Sequence, residues 1–358
     1  MNKKPTRRLE RNILDGNRIS EEDAYELYEW DVIDLARAAD GRRKIAVPGE
    51  IVGFIIDRII NFTNICEAKC RFCAFHARAE QVDPFELSVD DIMQKVGELK
   101  EMGGSQVMLQ GGLHPDYTID RYTQMVKRIK ETCPDIFVHS FSPAELIHIA
   151  KKNDLDLVDV VSTLHDAGLD SVPGASDLLV DRVRHHACPN KMSVDEWKTV
   201  MEALAHRGMK SSATMTFGMG ETMEEQIRHL SVVRDVQDRT GIIRAFIPWS
   251  FSPAKTGMAD TEPATGMEYL KLVAISRIFL DNITHIQAGW LTEGLKLAQL
   301  ALTMGANDMG GILMEETVVK ATGVNTKANV DEFVRIIKNA GKIPVLRDSA
   351  YQVIQRYE

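Results

Sequence analysis

IVGFIIDRIINFTN, residues 51–64, runs directly into ICEAKCRFCAF, residues 65–75, and the reading of this join decides the fold. The first half is rich in β-branched and aromatic side chains and predicts a buried strand. The second half places Cys66, Cys70 and Cys73 with three and then two residues between them, on a loop at the carboxyl end of that strand. Downstream, SVDDIMQKVGELKEMGG (88–104) has Ser88 as a helix cap, an apolar stripe of Ile92, Val96 and Leu99, and Gly103 as a stop. SQVMLQGG (105–112) then reads as a second strand, completing a strand, helix, strand unit.

The alternation continues to the end of the chain. Helical periodicity is present in TIDRYTQMVKRIKETC (118–133), in AELIHIAKKN (144–153) and in SVDEWKTVMEALAHRG (193–208), where Ser193 and Glu196 form a capping box. Short apolar strands are expected at DIFVHSF (135–141), KSSATMTFG (210–218), IIRAFIPW (242–249), HIQAGW (285–290) and DMGGILM (308–314), and NVDEFVRIIKNAG (329–341) reads as a closing helix. About eight strands alternating with helices, with no Pro/Gly/Ser-rich linker, predict a parallel α/β barrel of the (β/α)8, TIM type over residues 49–358, with a C-terminal helical segment. Residues 1–48 predict an N-terminal helical extension, because Ala24, Leu27, Tyr28, Val32, Leu35 and Ala36 recur at helical spacing. In such a barrel, chemistry belongs to the loops at the carboxyl ends of the strands.

Composition narrows the function classes. At 358 residues and 44% hydrophobic content the chain can bury a large core. Forty-three Lys plus Arg against 52 Asp plus Glu leave a formal charge of −9, with no basic stretch interleaved with aromatics, so nucleic acid is not an expected partner. The basic start MNKKPTRRLERNILDG lacks the apolar core of a signal peptide, and no run of about 18 apolar residues predicts a membrane span. A cytoplasmic protein is expected. Its odd number of cysteines, five, reads as metal binding or catalysis rather than a disulfide framework.

Three clustered thiols admit two metals. Structural zinc wants four tetrahedral ligands, and the fourth is absent locally. An iron–sulfur cluster on three thiolates leaves one iron open to a substrate or cosubstrate, so the missing ligand becomes functional. A closed electron-transfer cluster would need a fourth cysteine. Cys133 and Cys188 lie far away in sequence and read as small buried thiols.

C-x3-C-x2-C after the first strand, with Phe72 before the last cysteine, resembles the signature of the radical S-adenosylmethionine (SAM) superfamily, and Gln110-Gly111-Gly112 resembles its glycine-rich turn. The resemblance extends through VMLQGGLHPDY (107–117), AGLDSVPGASDLL (167–179), SATMTFGMGET (212–222), HLSVVRDVQDRTGIIRAFIPWSFSP (229–253), LDNITHIQAGWLTEGLKLAQLAL (280–302) and GANDMGGILMEETVV (305–319) to one branch, the enzymes of the futalosine route to menaquinone and their deazaflavin-forming relatives. Two positions depart from that pattern: Asp177 stands where glutamate is usual, and Gly289 where serine precedes the tryptophan.

The resemblance implies a 4Fe–4S cluster on Cys66, Cys70 and Cys73. It also implies SAM held by Phe72, Phe75, Gln110, Gly111, Gly112, Asp177 and Met215. The substrate would be a small nucleoside-type molecule, with flavodoxin or ferredoxin as electron donor and a monomer or homodimer as the working form. In the cyclising members of the branch, a 5′-deoxyadenosyl radical takes hydrogen from ribose carbon 4′, a ring closes onto a benzoate, and a general base removes a proton. Asp281, His285 and Glu293 are the expected catalytic residues, with His114, Asp308, Glu315 and Glu316 as further base candidates. His114, Arg244, Trp249, Trp290, Asp308 and Glu315 are expected to bind substrate. Arg244 stands out because a buried guanidinium calls for an anion, and a carboxylate offers bidentate geometry.

Overall fold

β1 (Ile51–Asn61) is the longest strand, and its side chains divide by the two-residue period of an extended chain. Ile55, Asp57, Ile59 and Asn61 face an interior cavity. On the other face Phe54 and Ile60 enter the surrounding core, and Arg58 reaches Glu98 and Glu315 at 2.6 and 2.8 Å. The computed structural model describes residues 4–77, 82–315 and 317–358; of the expected residues, only Glu316 lies outside them.

From β1 the chain alternates as expected: α4 (Val89–Glu101), β2 (Gln106–Gln110), α5 (Ile119–Thr132), β3 (Phe137–Val138), α6 (Pro143–Asn153), α7 (Leu157–Asp166), β4 (Ser171–Val172), α8 (Asp181–Ala187), α9 (Val194–His206) and β5 (Lys210–Phe217). It continues through α10 (Met223–Thr240), β6 (Ile243–Ser250), α11 (Gly266–Phe279), β7 (His285–Ile286), α12 (Leu295–Ala301) and β8 (Asp308–Leu313). Ser88 and Ser193 cap α4 and α9 with both halves of a capping box.

All neighbours among these eight strands are parallel. One sheet joins β8, β1, β2 and β3, and a second runs β4, β5, β6, β7. Single bridges, His139 to Ser171 and Gln287 to Asp308, connect the two sheets on either side, so the strands close in chain order into the TIM-type ring. β3, β4 and β7 are two residues long each, which leaves the ring loosely laced at those points.

Ahead of the barrel, α2 (Glu21–Tyr28) and α3 (Val32–Ala46) pack against α10 and α11, and α1 (Arg7–Leu14) packs on α3. Arg18 clasps Asp238 at 2.6 and 2.9 Å and Asp281 at 2.9 Å, while Arg234 donates to the Ile19 carbonyl at 2.9 Å. The C-terminal segment corrects the expectation of a helical end. α13 (Val330–Asn339) is followed by β9 (Ile343–Arg347), parallel to the first four residues of β1, and by β10 (Val353–Arg356), antiparallel to β9. IPVLR carries only five residues of alternation after a glycine, too little to stand out before its partner on β1 is known.

Candidate active site

The inward rows of the strands enclose one deep cavity of about 490 Å³. Its mouth is formed by the loops after the strands, and its inner wall carries Ile55 and Asp57 of β1, Gln106 of β2, His139, Ser212 and Thr214 of β5, Arg244 of β6, and Arg347, Ser349 and Tyr351 from β9 onward.

Cys66, Cys70 and Cys73 all line the mouth. Backbone bonds hold their loop from several sides. Glu67 N donates to Leu113 O at 2.9 Å, Arg71 N to Ala187 O at 2.8 Å, and Gly257 N to Arg71 O at 2.7 Å. Asn64 clamps the far end by accepting from Phe85 N and donating to Asp83 O, both at 2.9 Å. Leu113 N donates to Cys66 Sγ at 3.3 Å. Cys188, expected as an incidental buried thiol, is buried but lies against Cys70; that hydrogen bond, followed by burial, pushes the Cys70 thiol up.

Among the described residues, no three His, Cys, Asp or Glu gather around one point to hold a single metal ion. Zinc would need its sulfur ligands about 2.3 Å from one centre. A cuboidal cluster instead takes each thiolate on a different iron, and all three of these thiols line the same cavity.

Beside the thiols, Gln110, Gly111 and Gly112 follow β2 directly. Gly112 is required by close approach: a Cβ there would lie 2.1 Å from the Ile65 carbonyl oxygen, so the turn packs directly against the cysteine loop. Gly111 N donates to Glu145 Oε1 at 3.1 Å, and Ser142 Oγ donates to Glu145 Oε2 at 2.6 Å. Burial pushes the Glu145 carboxyl up to about 8. A carboxyl next to the glycine turn can receive an ammonium group, and its position at the start of α6 escapes a sequence reading because glutamate in a first helical turn is ordinary. Asp177 and Phe72 form the opposite wall with Lys191, whose Nζ lies 2.6 Å from Asp177 Oδ2 and 5.7 Å from the Phe72 ring centre. Asp177 adopts φ 48°, a conformation that aspartate tolerates better than bulkier residues.

The structure thus brings together Cys66, Cys70, Cys73, Phe72, Phe75, Gln110, Gly111, Gly112, Asp177, Arg244, Trp249 and Trp290 on one cavity. Trp249 is 38% exposed and donates to Thr216 Oγ1 at 2.7 Å, so it guards the mouth rather than packing the core. Trp290 is buried, donates to Gly311 O at 3.1 Å and meets Phe333 edge-on. Arg244 is bound by the Ser349 carbonyl and by Ser171 Oγ at 3.0 Å, and it lies over Phe137; among the described residues no carboxylate pairs with it.

Seven expected residues lie elsewhere. Asp281 is outside the barrel, paired with Arg18. His285 stacks on Tyr351 at 3.8 Å and bonds Asn307 at 3.0 Å, and burial lowers its pKa to about 4. Glu293 braces a loop by accepting from Ser250 N and Oγ at 2.8 and 2.5 Å. His114 stacks on Tyr117 and accepts from Asp116 N, Met215 is core, and Glu315 pairs with Arg58 and Lys95 behind β1. Asp308 is taken by Arg347 at 2.5 and 2.8 Å. Each is held by a partner or by packing away from the cavity, contacts that a one-dimensional reading cannot see.

Comparison with known proteins agrees with this geometry. The radical SAM superfamily matches residues 60–232, and the CofH/MqnC C-terminal region matches residues 239–358. The chain is 42% identical over 352 residues to the cyclic dehypoxanthine futalosine synthase of Halalkalibacterium halodurans, covering 98% of this chain and 95% of that one. It is 40% identical to the protein of the same name from Streptomyces coelicolor, covering 94% and 86%. It is 37% identical to a 5-amino-6-(D-ribitylamino)uracil–L-tyrosine 4-hydroxyphenyl transferase of Methanosarcina acetivorans, covering 94% and 91%. In fold it is similar to methylornithine synthase, with a TM-score of 0.74 at 17% identity over 94% of this chain and 97% of that one. The FeFe-hydrogenase maturase HydG from Carboxydothermus hydrogenoformans gives 0.75 at 16% identity over 96% and 80%. Relatives this similar along almost the whole length settle membership: the chain belongs to the radical SAM superfamily, in the branch that carries the CofH/MqnC C-terminal region, and is an enzyme whose cofactors are a 4Fe–4S cluster and S-adenosylmethionine.

Proposed function

We propose that the enzyme cyclises dehypoxanthine futalosine in menaquinone biosynthesis, joining ribose carbon 4′ to the substrate's own benzoate ring. When bound, the cluster and SAM supply a 5′-deoxyadenosyl radical that removes the hydrogen atom from carbon 4′. The chain's residues bind, orient and keep water out. Cys66, Cys70 and Cys73 hold the cluster, Gly111 and Gly112 with Glu145 receive the amino group of SAM, and Asp177 faces ribose hydroxyls. A low-potential electron enters from flavodoxin or ferredoxin, to a monomer or homodimer.

One observation carries the substrate class. Arg244 stands on the inner wall of the cavity, largely removed from water, without an ion pair among the described residues. A guanidinium so placed favours an anion, and the benzoate carboxylate of this substrate matches its planar fork. The two relatives named as the cyclising synthase are also more similar to the chain than the transferase from Methanosarcina acetivorans. The transferase reading differs in requiring two substrates to be joined.

Arg244→Ala tests the clamp. Hydrogen bonds to a charged group contribute about 1.5–3 kcal/mol, so the substrate KM should rise roughly 10- to 100-fold. Slow SAM cleavage without substrate should be unchanged. An unaltered KM would remove the carboxylate clamp.

A further inference from the structure

We infer that Asp57 is the base that accepts the ring proton during cyclisation, an assignment that rests on the cyclase reading above. Asp57 lies midway along β1, on the inward row with Ile55, Ile59 and Asn61. At about 3.3 Å per residue it stands roughly 13 Å below the end of its strand and the cluster loop, while Arg244 bonds Ser171, the first residue of β4, and lies over Phe137, the first of β3, at the lower ends of the strands. A substrate that reaches from one to the other passes this carboxyl.

A carboxyl this deep usually has its oxygens satisfied. Here Oδ2 accepts one hydrogen bond, from Gln106 Nε2 at 3.2 Å, and Oδ1 is buried with no partner. Arg347 on β9 is the neighbouring cation, but its guanidinium is spent on Asp308 of β8. Gly311 leaves the space the carboxyl occupies, since a Cβ there would lie 2.0 Å from Oδ1. The groups acting on Asp57 are therefore Gln106 from β2, Asp308 from β8 and Arg347 from β9. Burial dominates and pushes its carboxyl up to about 7, with Asp308 adding to the rise and Arg347 and Gln106 opposing it. It can take and return a proton near neutral pH.

The step balances as follows. Addition of the carbon 4′ radical to the ring makes one C–C bond and leaves an unpaired electron on a ring that has lost aromaticity. The Asp57 carboxylate takes the proton from the newly substituted ring carbon, and the C–H electron pair stays in the ring. One electron then leaves to a one-electron acceptor of the iron–sulfur or flavin class, restoring the aromatic ring.

The test uses anaerobically reconstituted full-length protein, with iron content measured for each variant. Asp57→Asn keeps the shape and cannot accept the proton. We expect 5′-deoxyadenosine to form while cyclised product per deoxyadenosine falls about 100-fold, the lower end of what a positioned base contributes. A ratio within about twofold of wild type overturns the assignment. In the wild-type enzyme, which needs no variant to fold, the same ratio should rise as pH passes about 7; a flat ratio from about pH 6 to 8 also overturns it. Wild-type protein that makes deoxyadenosine and no cyclised product overturns the cyclase reading itself, so the two failures are distinct.

Discussion

Residues that sit wrongly for solubility explain most of this site. Glu145 is buried at a helix start, held by Ser142 and the Gly111 amide, with its carboxyl raised to about 8 against an ordinary value of 4.5. A folded-state pKa above the unfolded one means that the proton binds more tightly in the folded state. The stability this contributes is complete below about pH 4.5 and is lost as pH rises through about 8. Glu145→Gln keeps the bond from the Gly111 amide, reverses the other so that its own amide donates to Ser142 Oγ, and removes the titration. Urea midpoints should therefore fall less between about pH 5 and 8 for the variant than for wild type, and parallel losses in the two proteins would contradict the assignment. Neither Glu145 nor Asp57 is conspicuous in one dimension. Asp57 is the one acid inside IVGFIIDRII, and that oddity was the available signal: a carboxylate in a strand otherwise built for burial needs a reason.

At the scale of elements, what was legible followed from local rules and what was hidden followed from long-range contact. The strand before the cysteines, the Ser88 and Ser193 capping boxes and the glycine turn after β2 all depend on neighbours within a few residues, and the structure has them where the pattern puts them. Base candidates failed for the opposite reason. Asp281 meets Arg18 across 263 residues, and Glu315 meets Lys95 across 220, so their occupation could not be seen from flanking sequence. β9 belongs to the same class. Its Arg347 forms a buried, two-pronged pair with Asp308, joining the C-terminal segment to β8 beside the cavity. Arg347→Ala should lower unfolding stability by about 3–5 kcal/mol, because it leaves the Asp308 carboxylate buried without its cation. Denaturant titration of the cluster-free protein checks this, and a loss below about 1 kcal/mol would mean that β9 is held by its strand pairing instead.

For the whole molecule, the barrel places one reactive end and one polar end on the same enclosed space. Thiols and glycine turn stand at the mouth, Arg244 and Asp57 below. That arrangement suits a reaction started by a radical at one end of a substrate and finished by proton loss further along it. Anaerobic incubation of the reconstituted enzyme with SAM, dithionite and dehypoxanthine futalosine, read by mass spectrometry, addresses the central claim most directly. Cyclisation requires a product two hydrogens lighter than the substrate together with free 5′-deoxyadenosine; an adenosylated adduct, or deoxyadenosine with unchanged substrate, would contradict it.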